Sequence, residues 1–307
     1  MRRDRHVLIF FMDGVGLGED DPETNPFVLA RLPQLTGLLG DGWYLRGQPP
    51  RSTARASLAP TDATLGMPGL PQSATGQATI LSGRNVPALI GGHYGPKPNG
   101  AVAAQIAAGT LFDEVVQAGG EAALLTPYPH RYFEGIESGR RLLSAVPLAA
   151  SSAGLPLRNA QHLQAGEAVS PDFTAQGWRD QLGYHEMPVL GLAEAGARIA
   201  GLAQAHHFSF FEHWPSDRSG HRGSLQEAIA HLELIDAALG GLLGAWDDER
   251  GLLIITSDHG NIEAKDRRQH TANPVPTILV GREHAALATT IKDLSDIAPA
   301  VRTFLEL

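Results

Sequence analysis

Residues 7–14 read Val-Leu-Ile-Phe-Phe-Met-Asp-Gly, an apolar run of six residues that stops at Asp13. A continuous run of Val, Ile and Phe predicts a strand that is buried on both faces, as in a parallel sheet covered by helices. Residues 208–211 and 252–256 repeat this pattern, and polar residues follow both runs. Because ligands bind beyond the carboxyl ends of parallel strands, we expect the functional site at that edge of the sheet.

Helical patterns lie between these apolar runs. Apolar residues at spacings of three to four predict a long amphipathic helix over residues 223–245 that packs on the sheet. Residues 188–204 and 294–307 are further predicted helices, and residues 111–126 predict a helix followed by a strand. Strands that alternate with helices predict an α/β fold, here a mostly parallel sheet sandwiched by helices.

The 307 residues allow one large domain, or a core with an inserted second domain. Residues 128–187 are rich in Ala, Gly, Ser and Arg, and their periodicity is weak. We therefore predict a core of residues 1–127 and 188–307, with residues 128–187 as a small inserted lid or cap.

Composition excludes several classes of function. With 24 Lys and Arg against 33 Asp and Glu, the net charge of −9 provides no basic field for nucleic acid or a membrane surface. The absence of cysteine excludes disulfides, thiolate metal sites and a thiol nucleophile. The apolar run near the N-terminus is shorter than the ~7–15 residues of a signal peptide core, and none reaches the ~18–20 of a membrane span. We expect a soluble cytoplasmic protein.

The residues that indicate chemistry are Asp and His side chains that adjoin predicted strands: Asp13, Asp217, His221, Asp258, His259 and His270. Taken singly, each has an ordinary structural interpretation as a turn, cap, loop or helix-surface residue. Taken together, they provide the mixture of carboxylate and imidazole that divalent cations bind.

Ser73 follows a loop rich in Pro and Gly and precedes a run of small residues that predicts a helix. A serine at such a junction is either a helix cap or a nucleophile beside a metal, where helix amides hold an incoming phosphate. The sequence leaves both roles open. The glycines at 14, 16 and 18 have the spacing G-x-G-x-G rather than G-x-G-x-x-G, so we predict no dinucleotide site.

These motifs together resemble the alkaline phosphatase superfamily: Asp13-Gly14, Ser73, Asp217-x-x-x-His221, Asp258-His259-Gly260-Asn261 and His270-Thr-x-Asn-Pro-Val-Pro. The resemblance is strongest to the branch of cofactor-independent phosphoglycerate mutase and phosphopentomutase, over about residues 6–84 and 200–307. It implies an alkaline phosphatase-like core with two divalent ions, Mn²⁺ or Zn²⁺. One ion would be held by Asp13, Ser73, Asp258 and His259, and the other by Asp217, His221 and His270. Ser73 would carry the phosphoryl group as a phosphoserine.

Departures from this branch favour hydrolysis of a small phosphomonoester or diester over a mutase reaction. The predicted lid is short, and Gln204 stands where the mutase has a lysine. Thr75 and Gln77 stand where sulfatases have Pro and Arg, which disfavours that class. Arg140 and Arg141 are candidate substrate contacts. A phosphomutase, and a catalytically silent metal- or ligand-binding protein on the same fold, remain alternatives, and the oligomeric state stays open.

Overall fold

The computed structural model describes residues 1–2 and 4–307. Its strands in chain order are β1 (His6–Met12), β2 (Arg51–Ser52), β3 (Ala56–Thr61), β4 (Ala122–Leu124), β5 (Phe208–His213), β6 (Gly251–Thr256) and β7 (Val275–Gly281). Within the described residues, these strands form one seven-stranded sheet in the order β2-β3-β7-β6-β1-β5-β4.

The centre of the sheet is parallel. β1 pairs in parallel with β5 and with β6, so that Val7 lies between Phe208 and Leu252. Every residue of these three strands is buried. This is the arrangement that the continuous apolar runs predict, and the three central strands are confirmed.

The other edge of the sheet is antiparallel and was not predicted. β7 runs antiparallel to β6 and β3, and β3 antiparallel to β2. β3 thus points the same way as β1. Among the described strands, only β2 and β7 run opposite to the others, so a mostly parallel sheet is confirmed. Sequence reasoning missed β3 and β7 because each contains a proline, Pro60 and Pro276, which argues against an internal strand. These two prolines lie opposite each other in the ladder.

The helices are α1 (Pro33–Leu39), α2 (Ser73–Ser82), α3 (Val86–Ile90), α4 (Gly100–Ala107), α5 (Leu111–Gln117), α6 (His130–Glu137), α7 (Ala145–Ser152), α8 (Ala160–Gln164), α9 (Gln176–Leu182), α10 (Leu192–Gln204), α11 (Pro215–Arg222), α12 (Leu225–Ala245), α13 (His284–Ala288) and α14 (Ile297–Leu305). They cover both faces of the sheet. Alternate residues of β1 enter two separate cores: one lies under α2, α5, α7 and α14, and the other under α1, α10 and α12.

Residues 128–187 contain α6 to α9 and do not form one separate layer. Ala145 and Val146 of α7 are fully buried in the core that α2 shares, and α7 packs against α2 and α4. Farther along the segment, a small cluster around Trp178 forms its own apolar centre. The boundaries of the lid stay a prediction.

Within the described residues, one helix is long and apolar enough to cross a membrane, namely α12. Half of the most apolar 18-residue stretch of this helix is buried inside the fold, and the helix packs against α10.

Candidate metal centre

The predicted site residues meet at the carboxyl ends of the central strands. Asp13 directly follows β1, Asp258 follows β6 after one residue, and Asp217 lies in α11, which follows β5. Gly14 allows these elements to approach each other. Its φ is +70°, and a side chain there would place Cβ 2.7 Å from Oδ1 of Asp217. The glycine is required both by its backbone conformation and by this close approach.

His259 is the centre of the first group. Its Nε2 lies 3.3 Å from Oδ1 of Asp13, 3.7 Å from Oδ2 of Asp258 and 3.1 Å from Oγ of Ser73. Asp13, Asp258 and His259 have ligand atoms close enough together to share one ion.

The second group gathers around Asp217. Oδ1 of Asp217 lies 3.4 Å from Nε2 of His221 and 3.7 Å from Nε2 of His270, and these two nitrogens are 3.1 Å apart. Asp217, His259 and His270 also form a ligand set of suitable spacing. His259 therefore lies between the two groups.

Backbone carbonyls fix the two outer imidazoles. Nδ1 of His221 lies 2.7 Å from the carbonyl oxygen of Arg268, and Nδ1 of His270 lies 2.8 Å from that of Pro71. Because a carbonyl only accepts hydrogen bonds, each Nδ1 must carry the proton and donate it. Both Nε2 atoms then face the shared space, as in histidines that bind metals through Nε2.

The electrostatics of the cluster also suit cations. Burial, followed by the charge of Asp258, raises the pKa of Asp13 well above its usual range. Burial and the charge of Asp217 raise the pKa of Asp258 to about 7, while burial and His270 lower the pKa of His259 to about 3. Oδ1 of Asp13 is buried without a hydrogen-bond partner among the described residues. Crowded carboxylates, a neutral imidazole and an unpaired buried oxygen form a donor set that fits divalent ions.

Ser73 is the first residue of α2, and its hydroxyl does not cap this helix. The cap position belongs to Gln72, which makes no side-chain capping bond, and Ser73 Oγ contacts His259 instead. Ser73 is therefore not the N-cap of α2, and its role as nucleophile stays a prediction.

Some of the backbone amides at the start of α2 already donate hydrogen bonds to backbone carbonyls. The Thr75 amide donates to the carbonyl of Tyr94, and the Gly76 amide donates to the carbonyl of Gln72. The amides of Ser73 and Ala74 have no such partner within residues 1–2 and 4–307. Free N–H groups at the N-terminus of a helix are groups that bind anions in proteins.

Sequence reasoning missed Glu263, a buried residue that joins the connection between β6 and β7 to the loop after β1. Its carboxylate accepts from the amides of Gly16 and Asn261 at 3.0 and 2.7 Å, from Oγ1 of Thr271 at 2.5 Å and from Nδ2 of Asn273 at 3.0 Å. A Cβ at Gly16 would lie 2.4 Å from Oε1 of Glu263. This contact explains a glycine that resembled a nucleotide loop. Only the position of Glu263 shortly after the Asp-His pair signalled a role.

A second missed residue is Glu212, near the end of β5. It accepts a 2.5 Å hydrogen bond from the hydroxyl of Tyr128, and burial, followed by the charge of Asp258, raises its pKa to about 7, against the opposing effect of the tyrosine bond. Its place near the end of a buried parallel strand was the available signal. His213, the next residue, directs its imidazole to His231 and Pro171, away from the predicted ligands.

Arg140 and Arg141 lie in the segment after α6. Nε of Arg140 donates to Ser138 at 2.9 Å, and the Arg141 guanidinium lies over the ring of Tyr132 at 5.1 Å. Among the described contacts, neither touches Ser73 or the Asp and His cluster. Their role as substrate contacts stays a prediction.

Comparisons with known proteins agree with this architecture. Residues 191–307 match the family model of the Metalloenzyme superfamily. A 2,3-bisphosphoglycerate-independent phosphoglycerate mutase from Thiobacillus denitrificans is 32% identical over 139 residues, which cover 43% of this chain and 26% of that protein. The same-named protein from Roseobacter denitrificans is 32% identical over 152 residues, 45% of this chain and 30% of that protein. The chain thus matches less than a third of these curated relatives.

Two solved structures share the fold over nearly the whole chain. The PH0037 protein from Pyrococcus horikoshii superposes with a TM-score of 0.57 at 15% identity, covering 100% of this chain and 98% of its own. The alkaline phosphatase from the Antarctic bacterium TAB5 superposes with a TM-score of 0.55 at 13% identity, covering 98% of both chains.

The chain is an α/β protein with an Asp and His cluster of the kind that binds divalent ions, and it is similar to the Metalloenzyme superfamily over residues 191–307. The resemblance to the alkaline phosphatase superfamily, and within it to the phosphoglycerate mutases, is confirmed.

Proposed function

We propose that this protein is a metal-dependent phosphoryl-transfer enzyme that hydrolyses a small phosphomonoester or diester in the cytoplasm. The observation that supports it best is the position of Ser73, with its Oγ 3.1 Å from Nε2 of His259 at the N-terminus of α2. A hydroxyl nucleophile, unpaired helix amides and a cluster of metal-ligand type occur at one place, which is the combination that phosphoryl transfer requires.

Two divalent ions, Mn²⁺ or Zn²⁺, are proposed at the cluster. One set of ligands would be Asp13, Ser73, Asp258 and His259, and the other Asp217, His221 and His270. When bound, the ions would neutralise the phosphate oxygens and favour the alkoxide form of Ser73.

The chain itself would supply the nucleophile and the seat for the phosphate. Ser73 would release its hydroxyl proton to solvent water, and its Oγ would form a bond to phosphorus as the bond to the leaving alcohol breaks. The departing alkoxide would take a proton from water. The amides of Ser73 and Ala74 would donate to phosphate oxygens throughout. Water would then attack the phosphoserine, which breaks its P–O bond, restores Ser73 and releases inorganic phosphate.

A phosphomutase is the second candidate, because the two curated relatives described above are named as phosphoglycerate mutases. A mutase must exclude water from its phosphoserine and hold the substrate while it turns, which calls for closure and cationic contacts. Here Lys97 donates to the carbonyl of Leu142, and Lys265 donates to the carbonyls of Ser219 and Gly220. Gln204 donates to the carbonyl of Ala245. Two of the three lysines therefore bind backbone carbonyls of the protein itself. Because a mutase needs cationic contacts to its substrate, this supports hydrolysis.

The test is to reconstitute the purified protein separately with Mn²⁺ and Zn²⁺ and to assay aryl phosphate mono- and diesters, phosphoglycerate and a pentose phosphate. We expect inorganic phosphate from an aryl ester. If no phosphate is released but phosphoglycerate or the pentose phosphate is isomerised, the mutase candidate replaces the hydrolase. Metal binding without either reaction would favour the silent binding protein.

A further inference from the structure

Each half of the candidate metal centre contains one neutral amide side chain that donates to an aspartate. Nε2 of Gln77 donates to Oδ2 of Asp258 at 3.1 Å, and Nδ2 of Asn261 donates to Oδ1 of Asp217 at 2.6 Å. The two amides come from different elements: Gln77 lies in α2, and Asn261 in the loop after β6. Each amide reaches the aspartate of a different proposed site.

Both amide side chains are buried. Gln77 is 5% exposed and Asn261 is fully buried. The backbone amide of Asn261 donates to Glu263, and a side chain at Gly220 would place its Cβ 2.5 Å from Cγ of Asn261. Such packing leaves the Asn261 amide little freedom, so it fixes the orientation of the carboxylate that it contacts.

Close packing also surrounds Asp258 near Gln77. A Cβ at Gly76 would lie 2.8 Å from Cβ of Asp258, and the amide of Gly14 lies 3.4 Å from Oδ1 of Asp258. The carboxylate is thus confined on the side of α2 and on the side of β1, and Gln77 holds its remaining oxygen.

We propose that Gln77 and Asn261 are positioning residues, each of which orients the aspartate of one metal site and so sets the affinity of that site alone. A neutral donor suits this role because it stabilises the carboxylate without adding a cation that would repel the metals. The proposal concerns how the aspartate ligands of the two proposed metal sites are oriented, and it therefore rests on the proposed function. Removal of groups that orient metal ligands typically weakens metal binding by ~10–100-fold.

The experiment uses two proteins with a single substitution, each of which retains one of the two proposed metal sites. In the His270→Ala protein, where the Asp258 site remains, we expect Gln77→Met to weaken Mn²⁺ binding by ~10–100-fold and Asn261→Ala to leave it unchanged. In the Asp13→Ala protein, where the Asp217 site remains, we expect Asn261→Ala to weaken Mn²⁺ binding by ~10–100-fold and Gln77→Met to leave it unchanged. Mn²⁺ binding is measured by calorimetric titration of the full chain, and Gln226→Met on the exposed face of α12 is the matched control.

Thermal unfolding in chelator shows whether each variant is folded, and Asn261→Ser provides a second variant if Asn261→Ala does not fold. The proposal is overturned if either variant weakens Mn²⁺ binding equally in the His270→Ala and Asp13→Ala proteins. It is also overturned if neither variant weakens Mn²⁺ binding in either protein. Failure of the proposed function is distinguishable from this result, because it is measured as the absence of phosphate release by the metal-loaded protein, whereas the titrations measure Mn²⁺ binding alone.

Discussion

The imidazoles of His259 and His270 stack with their centroids 3.6 Å apart and their planes at 14°. This contact joins the two halves of the candidate metal centre. Both rings belong to the connection between β6 and β7, His259 near its start and His270 near its end, so the stacking brings two parts of this connection together. Both Nε2 atoms are thereby kept near Asp217.

The first prediction concerns His270. The protein should bind two divalent ions per chain, and His270→Ala should remove one of them, because the variant loses one of the three proposed ligands around Asp217. Elemental analysis after reconstitution with excess Mn²⁺ or Zn²⁺ and removal of free metal measures this. His130→Ala, at an exposed position of α6, is the control and should retain both ions. Less than about one ion per chain in the unsubstituted protein would contradict the two-metal centre.

The second prediction separates the two hydroxyls at the start of α2. Ser73→Ala should lower turnover at least about 10³-fold because the nucleophile is removed. Thr75→Ala should retain most of the turnover. The Thr75 hydroxyl donates to the carbonyls of Gln72 and Tyr94 and accepts from the Tyr94 amide. Its loss should therefore cost about 1 kcal/mol of stability, measured by denaturant unfolding.

Thr75→Ser keeps these hydrogen bonds and serves as the control for stability. If Thr75→Ala abolished turnover while Ser73→Ala retained it, the assignment of the nucleophile would be in the wrong register.

The sequence predicted the parallel centre of the sheet and the meeting of the Asp and His residues for one physical reason. The runs before Asp13 and Asp258 are uniformly apolar, which indicates strands buried on both faces, and the ends of parallel neighbours meet at one edge. The position of the carboxylates therefore followed from the strands alone. The family resemblance added Ser73 as nucleophile, and the contact between Ser73 and His259 supports this prediction.

Other features depend on contacts between segments that are distant in the chain. Glu263 accepts from Gly16, which lies 247 residues away, and no local pattern signals such a bond. The antiparallel edge was hidden by Pro60 and Pro276, whose acceptable positions depend on the partner strand. The helices within residues 128–187 are short, so their periodicity was too weak to predict where they begin and end.

The third prediction concerns Glu212 in metal-free protein. Its pKa of about 7 means that the folded state binds a proton which the unfolded chain has released above pH ~4.5. Stability is therefore lost as pH rises from about 4.5 to 7, by about 3 kcal/mol. Glu212→Gln removes this penalty and can still accept from Tyr128. In chelator, the variant should be about as stable as the parent near pH 4.5 and more stable by about 3 kcal/mol near pH 7.

Denaturant unfolding across this pH range measures the difference, with Glu137→Gln on the exposed surface of α6 as the control. A constant difference between the Glu212 variant and the parent at all pH values would show that the carboxyl does not titrate in this window.

The last prediction concerns the buried pair His213 and His231, whose Nε2 atoms lie 2.8 Å apart. Burial lowers the pKa of His231 to about 4, and burial and His231 lower that of His213 well below its usual range. The unfolded chain therefore binds more protons than the folded protein between about pH 6.5 and 4, and stability falls as pH falls through this window. His231→Gln keeps a hydrogen-bonding group beside His213 but cannot take up the proton. It should reduce the acid-induced loss of stability by up to about 3 kcal/mol, measured by unfolding at pH 7 and pH 4.5. The exposed substitution His130→Gln should leave that loss unchanged, and an equal loss in the His231 variant and the parent would contradict the role of this pair.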